Sequence, residues 1–361
     1  MTPAATPSQL LKQLRIITLA CAVGLTAAAA LAPARAQSPE EGAPNEAPEE
    51  VLVTGEYPGP GMWKITRADD PEHHTLWILG TPPPVPKKMK WKSKDVEAAV
   101  LSSQEILLPS SIQVKPDEKI GFFKGLSLLP AALGARKNPD KDRLQDLLEP
   151  DIYARWLVQK KKYLGRNDGI EKFRPIVAAY KLRGEAFDDL KLRERGLVED
   201  AIEKLARKHK IEMTVPAIEF PIKTNEIKAK IKEFAREPLA DAECFAQTLD
   251  LVEALADRET MELRATSWAI GDVHTLLATP PLPNPNVACE AAVMGSQVAQ
   301  ELIPSDLRER LRAAWLQAAE KSLAQNRSTF ALLPIAELTS SRSPLEALRA
   351  KGYSVEAPQR D

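Results

Sequence analysis

Short strand patterns stand toward both ends of this sequence, and helical patterns fill its middle. Residues 63–65 and 75–79 are predicted to form paired strands, and residues 105–109 a buried strand. Residues 330–333 and 353–355 are the strand patterns of the other end. A chain with this order completes one sheet only if its two ends meet. We therefore predict an α/β (α+β) fold, with a central mixed sheet built from N- and C-terminal strands and covered by a mostly helical middle.

Apolar residues spaced three and four apart predict helices from residue 152 to residue 206, three more between residues 225 and 277, and another from Leu307 to Ala318. Thirty prolines, spread along the chain, are incompatible with a long coiled coil. The expected organisation is a single domain over residues 51–356 with a helical insertion at about 225–325, followed by a short tail, residues 357–361.

The N-terminal residues have the pattern of a secretory signal peptide. Lys12 and Arg15 precede an apolar run over residues 16–32, and Ala34-Arg35-Ala36 supplies the small-x-small cleavage pattern. We expect residues 1–36 to be removed near Ala36/Gln37, with a retained membrane helix as the alternative. Residues 37–50 are acidic and rich in proline, which predicts a disordered linker. The expected location is the periplasm or the extracellular medium, with no membrane span after cleavage.

Charge and cysteine content narrow the class of protein further. The chain has 49 basic and 50 acidic residues, so it has no net positive field to attract nucleic acid. Beyond the signal peptide only Cys244 and Cys289 remain, and two cysteines in an oxidising compartment favour a disulfide over free thiols. No HExxH, GxSxG or phosphate-loop motif occurs in the sequence, so local motifs name no reaction.

Several short segments of the sequence are each too common to identify a protein family, but their order along the chain is more specific. They are residues 63–65, 76–81 with Gly80-Thr81, 96–100, 201–219 ending in Glu219, 312–315 with Arg312, 330–338 and 345–355, together with Cys244, Trp268, Gly271, Asp272 and Cys289. In this order they resemble the TraB/GumN/Tiki superfamily, and bacterial GumN-like proteins in particular. The resemblance covers roughly residues 50–356.

That resemblance implies metal-dependent hydrolysis, which is peptide-bond cleavage in the animal branch of the family. Two GxxH histidines and acidic residues are the family's candidate metal ligands. In this chain Pro83 stands where the first histidine belongs, and Glu337 replaces the second. Pro334 replaces the glycine of the second motif, and the acidic position on the next strand falls near Pro109. Proline has no side-chain atom that can bind a metal.

These departures predict a protein that has lost the hydrolytic centre and acts as a binding or scaffold protein with no cofactor. The alternative is a hydrolase with a carboxylate site at Glu219 and Glu337, which would hold Mn²⁺, Mg²⁺ or Ca²⁺. Gly80, Thr81 and Arg312 are expected to line the same cleft. The expected partner is an envelope protein or a peptide, and not nucleic acid. Residues 82–94, rich in proline and lysine, are a possible docking loop or simply a solvated face.

Overall fold

Ten strands form one large sheet and two small ones in the computed structural model, which describes residues 59–67 and 69–358. They are β1 (Met62–Thr66), β2 (Thr75–Thr81), β3 (Val85–Pro86), β4 (Glu105–Leu107), β5 (Ser111–Pro116), β6 (Leu192–Arg193), β7 (Glu212–Thr214), β8 (Ala217–Ile222), β9 (Ser328–Pro334) and β10 (Ser354–Glu356). The large sheet has the order β10-β1-β2-β9-β4-β7, and the small sheets pair β3 with β6 and β5 with β8.

The two ends of the domain meet at the centre of the large sheet. Strand β2 runs parallel to β9, with Gly80 opposite Leu333 and Thr81 opposite Pro334. Strands β9, β4 and β7 continue the parallel part, whereas β1 is antiparallel to both β2 and β10. The predicted mixed sheet of N- and C-terminal strands is therefore confirmed.

Helices account for most of the remaining described chain. They are α1 (Lys94–Ser102), α2 (Phe122–Gly134), α3 (Leu144–Leu147), α4 (Pro150–Tyr163), α5 (Pro175–Asp189), α6 (Leu197–His209), α7 (Ile227–Arg236), α8 (Ala242–Leu255), α9 (Arg258–Ala269), α10 (Val273–Ala278), α11 (Asn286–Met294), α12 (Gln297–Leu302), α13 (Leu307–Gln325), α14 (Ile335–Leu338) and α15 (Pro344–Ala350), with one 3₁₀ turn at Asp168–Lys172. The middle is helical as predicted, although residues 225–277 hold four helices, α7 to α10, where the apolar spacing predicts three.

Both faces of the large sheet are buried, because successive side chains of its central strands point to opposite sides. On one face, Ile78 and Leu333 pack with Trp315 of α13 and Leu348 of α15. On the other face, the neighbouring residues in β2 and β9 pack with side chains of α1, α6 and α9, among them Val100, Ile202 and Trp268. Strands covered on both faces are typical of the parallel sheets of α/β proteins.

Strands β5 and β8 extend the β4–β7 ladder beyond the large sheet. Pro109 and Pro216, which have no N–H to donate, separate the two parts of each strand. The ladder resumes at once, since the backbone N–H of Ser111 donates to the carbonyl of Pro216 at 2.8 Å. Each strand of this ribbon leads to a helix, β5 to α2 and β8 to α7, and the two helices contact each other. We call residues 111–134 and 217–236 the ribbon arm.

One buried arginine attaches the ribbon arm to the helical layer. The guanidinium of Arg174 donates through Nε to the carbonyl of Ala135 at 2.9 Å, beyond the end of α2. Through Nη1 and Nη2 it donates to the carbonyls of Glu237 and Phe234, both at 2.8 Å, at the end of α7. The same group lies over the ring of Phe234, 5.2 Å from its centre. Arg174 thus satisfies carbonyls at two helix C-termini, which have no partner within their own helices.

The predicted disulfide between Cys244 and Cys289 is confirmed. It joins α8 to α11, with the two Cα atoms 4.5 Å apart and 45 residues of chain between them. By loop-closure entropy a bridge of this span contributes about 4 kcal/mol to the free energy of unfolding. Both cysteines are buried beside Ile176 of α5.

Several expectations fall on residues outside the described part of the chain. The signal peptide over residues 1–36 and the linker over residues 37–50 lie there. So do residues 51–55, Val-Leu-Val-Thr-Gly, whose pattern predicts a short strand at the start of the domain. Across residues 59–67 and 69–358, the helices are all too short or too polar to cross a bilayer.

Replacing the guanidinium that caps two helices should destabilise the domain. We expect Arg174→Met to lower the free energy of unfolding by about 2–4 kcal/mol, because the partly buried carbonyls lose a charged donor. Urea unfolding followed by circular dichroism measures this. Arg166→Met, at an exposed arginine after α4, is the control and should leave stability within about 0.5 kcal/mol. Equal stability of the Arg174 and Arg166 variants would contradict the anchoring role.

Candidate functional site

The candidate site lies at the carboxyl ends of β2 and β9. Because these strands are parallel and in register, Thr81 and Pro334 end at the same edge of the sheet. Pro83 follows two residues beyond Thr81, and Glu337 three residues beyond Pro334, at the start of the chain segments that leave this edge. The carboxyl edge of a parallel sheet is where ligands bind in α/β folds, so the structure brings the two motif positions to the expected place.

Tight packing holds the end of β2 in place. The indole Nε1 of Trp268 donates to the carbonyl of Gly80 at 2.8 Å, in the buried interior. A Cβ at Gly80 would lie 3.1 Å from two side-chain carbons of Ile335 and 3.2 Å from the ring of Trp63. Only glycine leaves room for this approach, because such contacts are shorter than ordinary van der Waals distances. Gly80 and Trp268 therefore have a structural role at the base of the site.

Gly271 and Asp272, the other residues of the family pattern, also serve the packing of the fold. Gly271 has a φ of +72°, and a Cβ there would meet the carbonyl oxygen of Gly59 at 3.0 Å and the nitrogen of Gly61 at 3.1 Å. The carboxylate of Asp272 accepts a hydrogen bond from the N–H of Thr275 at 3.0 Å and so caps α10. These contacts account for both residues without any chemistry at the site.

Glu337 lies on α14, directly after β9, and the positive charge of Arg312 of α13 acts on its carboxyl. The side chain reaches solvent, yet burial by the surrounding protein raises the pKa of its carboxyl, and the positive charge of Arg312 opposes that rise. Glu337 and Arg312 thus lie near each other beside the end of β9, and a cleft shared with Gly80 and Thr81 stays a prediction.

Glu219 lies on β8 in the ribbon arm, where its carboxylate forms an ion pair with Lys115 of β5. The two side chains extend from the same face of the ribbon because Gln113 is opposite Glu219 and the pairing is parallel. Both are about half exposed. Glu219 and Glu337 thus stand on separate elements, and each has a cation of the protein as its neighbour.

Few side chains at the carboxyl edge could bind a metal. Pro83, Pro109 and Pro334, at or near three positions where the family has a motif residue, offer no side-chain donor. Within residues 59–67 and 69–358, no three His, Cys, Asp or Glu side chains come together in a group that could hold a metal ion. Of the two histidine positions of the family motif, only the second has a possible donor, the carboxylate of Glu337, and the positive charge of Arg312 is close enough to affect its pKa.

A small recess lies next to Pro82, just beyond the end of β2. It is lined by Pro82, Val85, Arg193, Glu194, Arg195, Leu197 and Glu199. The two glutamates are engaged within the protein: Glu194 pairs with Arg183, and Glu199 accepts the N–H of Gly196 at 2.9 Å. Arg193 and Arg195 form no ion pair with any described residue, and the Nε of Arg193 is buried without a hydrogen-bond partner. Because Glu194 is paired with Arg183 and Glu199 offsets only one of the two arginines, the recess carries a net positive charge.

Sequence reasoning does not single out these two arginines, because Arg193-Glu194-Arg195 has the composition of any polar turn between helices. What distinguishes them is that the intervening glutamate turns away to Arg183. That arrangement has no signal in the local sequence.

The loop over residues 82–94 is partly held by the fold. Strand β3 pairs with β6, Lys87 forms an ion pair with Asp188 at 2.5 Å, and the ring of Trp91 packs edge-on against Trp268 with 5.6 Å between ring centres. Lys88 and Lys92 remain exposed. The loop thus adds positive charge beside the recess and is anchored by its apolar residues.

Comparison with known proteins gives a single finding at the level of family. A model of the family described as TraB/PrgY/gumN matches residues 61–357. No curated protein and no solved structure matches the chain. The matched region includes the whole large sheet and the candidate site.

The raised pKa of Glu337 predicts how stability depends on pH. A raised pKa means that the folded state favours the protonated carboxyl of Glu337. The protonated group therefore contributes fully to stability below the pKa of the unfolded chain, near 4.5. This contribution is lost as the pH rises through the higher pKa of the folded state. Glu337→Gln stays neutral throughout. We therefore expect its stability relative to the wild type to increase from pH 4 to pH 7, as measured by urea unfolding. Glu212→Gln, at an exposed carboxylate of β7, is the control; the same trend in both variants would contradict the assignment.

Proposed function

The chain belongs to the TraB/PrgY/gumN family, and on that basis we propose that it is an exported binding protein that has lost the hydrolytic centre of its relatives. The observation that carries the proposal is the recess beside Pro82, where Arg193 and Arg195 form no ion pair with any residue that the structure describes. Its ligand is an acidic segment of an envelope protein or peptide. The protein would hold that segment, as a binding or scaffold protein, without cleaving it.

The loss of the centre is supported by the donors at the carboxyl edge. A catalytic divalent ion needs about three protein ligands and an open position for water. Proline at positions 83 and 334 supplies none, and Glu337 has Arg312 nearby, whose charge repels a cation. Glu219 is neutralised by Lys115. These residues do not fit a divalent metal, so no hydrolytic step is assigned to them.

The ligand class follows from charge. Arg193 and Arg195 present planar donors that match a carboxylate, which an arginine can bind through two parallel hydrogen bonds. Lys88 and Lys92 of the neighbouring loop extend the positive surface. Nucleic acid is disfavoured as the ligand, because the chain as a whole is slightly negative. An acidic peptide segment can pair with the arginines of the recess even though the net charge of the whole protein is slightly negative.

Export is supported by two features of different kinds. The residues before Gln37 have the signal-peptide pattern. The buried disulfide between Cys244 and Cys289 suits an oxidising compartment, such as the periplasm or the extracellular medium.

One observation favours the alternative, a hydrolase. Burial raises the pKa of the Glu337 carboxyl, and carboxyls with raised pKa values are typical of hydrolase active sites. In that case Glu219 and Glu337 would hold Mn²⁺, Mg²⁺ or Ca²⁺ through oxygen ligands. An activity that a chelator inhibits and that either Glu219→Gln or Glu337→Gln abolishes would establish the alternative.

Metal content separates the two functions. We expect the purified protein to contain far less than one divalent ion per chain after incubation with Mn²⁺, Zn²⁺ and Ca²⁺, because the edge lacks donors. Elemental analysis after gel filtration measures this. Pro83→His alone should leave the metal content unchanged, whereas Pro83→His with Glu337→His restores both missing imidazoles and should raise it. One tightly bound ion in the wild type would refute the proposed loss.

Peptide binding tests the recess directly. We expect a fluorescein-labelled hexaglutamate probe to bind saturably in anisotropy titrations, and hexalysine not to bind. Arg193→Gln with Arg195→Gln should weaken the binding of hexaglutamate by about tenfold or more, since charge-assisted hydrogen bonds contribute roughly 1.5–3 kcal/mol each. Arg166→Gln, at an exposed arginine away from the recess, is the matched control. Equal affinity in all three proteins would exclude the recess as the binding site.

A further inference from the structure

Exposed apolar side chains are concentrated in the ribbon arm. Of the fifteen exposed large apolar residues in the described part of the chain, six lie between residues 111 and 134. They are Ile112, Val114, Ile120, Leu126, Leu129 and Leu133, and we call them the apolar face of the arm. Single exposed apolar residues are ordinary on protein surfaces, but a group of this kind marks an interaction site.

The ribbon gives this face a regular geometry. Parallel pairing places Ile112 opposite Ile218 and Val114 opposite Phe220, so these four side chains share one side of the two strands. The other side carries the ion pair of Lys115 with Glu219. The ribbon thus has one apolar and one charged side. Val114, on the apolar side, is 45% exposed.

Helix α2 continues the exposed apolar surface. Leu126, Leu129 and Leu133 are spaced i, i+3, i+7 and form one stripe along the helix. Helix α7 packs against α2 and still leaves this stripe open, with Leu126 55% exposed. Ile120, between β5 and α2, lies beside the first turn of the helix, since a Cβ added at Gly125 would be 4.0 Å from its side chain. The stripe and the ribbon are therefore linked by an apolar residue.

Free positive charge accompanies this apolar surface. The ribbon arm has eight basic and five acidic residues, in a chain whose net charge is −1. Most of the acids are engaged within the arm: Glu219 with Lys115, Glu226 with Lys223, and Glu233 with Lys230. Lys119, Lys228 and Lys232 are exposed and form no ion pair with a described residue. The last two are one helical turn apart on α7, so they present their charges together.

This combination decides among possible occupants. A second copy would place its own lysines against these, with like charges repelling across a symmetric contact. The chain's acidic segment, residues 37–50, could match the charge but has no large apolar side chain to cover leucines. The apolar run over residues 16–32 could cover them but is flanked by Lys12, Arg15 and Arg35, of the same sign.

We infer that the ribbon arm binds the surface of an anionic phospholipid membrane, with the apolar face entering the interface and Lys119, Lys228 and Lys232 meeting the headgroups. Apolar burial together with lysine attraction is how peripheral segments bind bilayers. The arm is continuous with the large sheet through β4 and β7, and Arg174 holds its helices. Binding therefore places the whole domain at the membrane. This inference is independent of the proposed ligand of the recess.

Vesicle flotation tests the inference on the full chain as purified after export in a bacterial host. We expect the protein to float with vesicles of phosphatidylglycerol and phosphatidylcholine, and not with pure phosphatidylcholine. Leu126→Glu with Leu129→Glu should abolish flotation. Lys228→Gln with Lys232→Gln should lower the partition coefficient roughly 25-fold, at the usual contribution of a lysine near an anionic surface. High salt should weaken binding of the wild type in the same direction.

Matched variants of α4 control for general effects of the substitutions. Leu157→Glu with Val158→Glu changes exposed apolar residues, and Lys161→Gln with Lys162→Gln changes exposed lysines, all outside the arm. The wild type and all variants have the same N-terminus, so a difference in flotation between them is caused by the substitutions. Circular dichroism confirms that each variant is folded. No flotation of the wild type, equal flotation of the leucine variant, or a dimer in sedimentation equilibrium that the leucine variant dissociates would overturn the inference.

Discussion

The parallel pairing of β2 with β9 is the contact on which the other features of this domain depend. It joins segments about 250 residues apart and, by its register, places Thr81 beside Pro334. Without it, the apolar residues of both strands would have no common sheet, and helices from the middle of the chain would have no surface to cover. The pairing also creates the carboxyl edge at which the two motif segments meet, so fold and candidate site arise from one interaction.

The residues of the family pattern divide by physical role. Gly80, Trp268, Gly271 and Asp272 hold strand ends and helix starts through close approach and hydrogen bonds. By the family resemblance, the positions that would bind a metal are different ones, occupied in this chain by Pro83 and Glu337. The packing contacts do not involve those side chains as donors, so the fold does not depend on metal ligands at these positions. At the carboxyl edge of the sheet, the recess beside Pro82 is lined by Arg193 and Arg195.

Much of the fold and part of the candidate site could be predicted from the sequence, and the features that were not predicted have identifiable physical causes. Strand alternation and helical spacing are local, so the central strands, the helical middle and the disulfide were accessible. Residues 111–134 of the ribbon arm were missed, because a helix as apolar as α2 has little polar side to reveal its orientation. Glu219 and Glu337 were expected in one carboxylate site, whereas the fold gives each its own cation, Lys115 and Arg312. A metal ion shared by Glu219 and Glu337 stays a prediction.

By itself, the sequence determined the family, the strand and helix segments and the loss of imidazole at both motif positions, because each of these depends on residue type and spacing along the chain. Only the tertiary structure decided which charges are free and which apolar residues are exposed. Among the described residues, Arg193 and Arg195 have no ion-pair partner because Glu194 reaches Arg183, and Leu126 is exposed although α7 packs against α2. Exposure and pairing are relations between distant segments, and a linear sequence does not contain them.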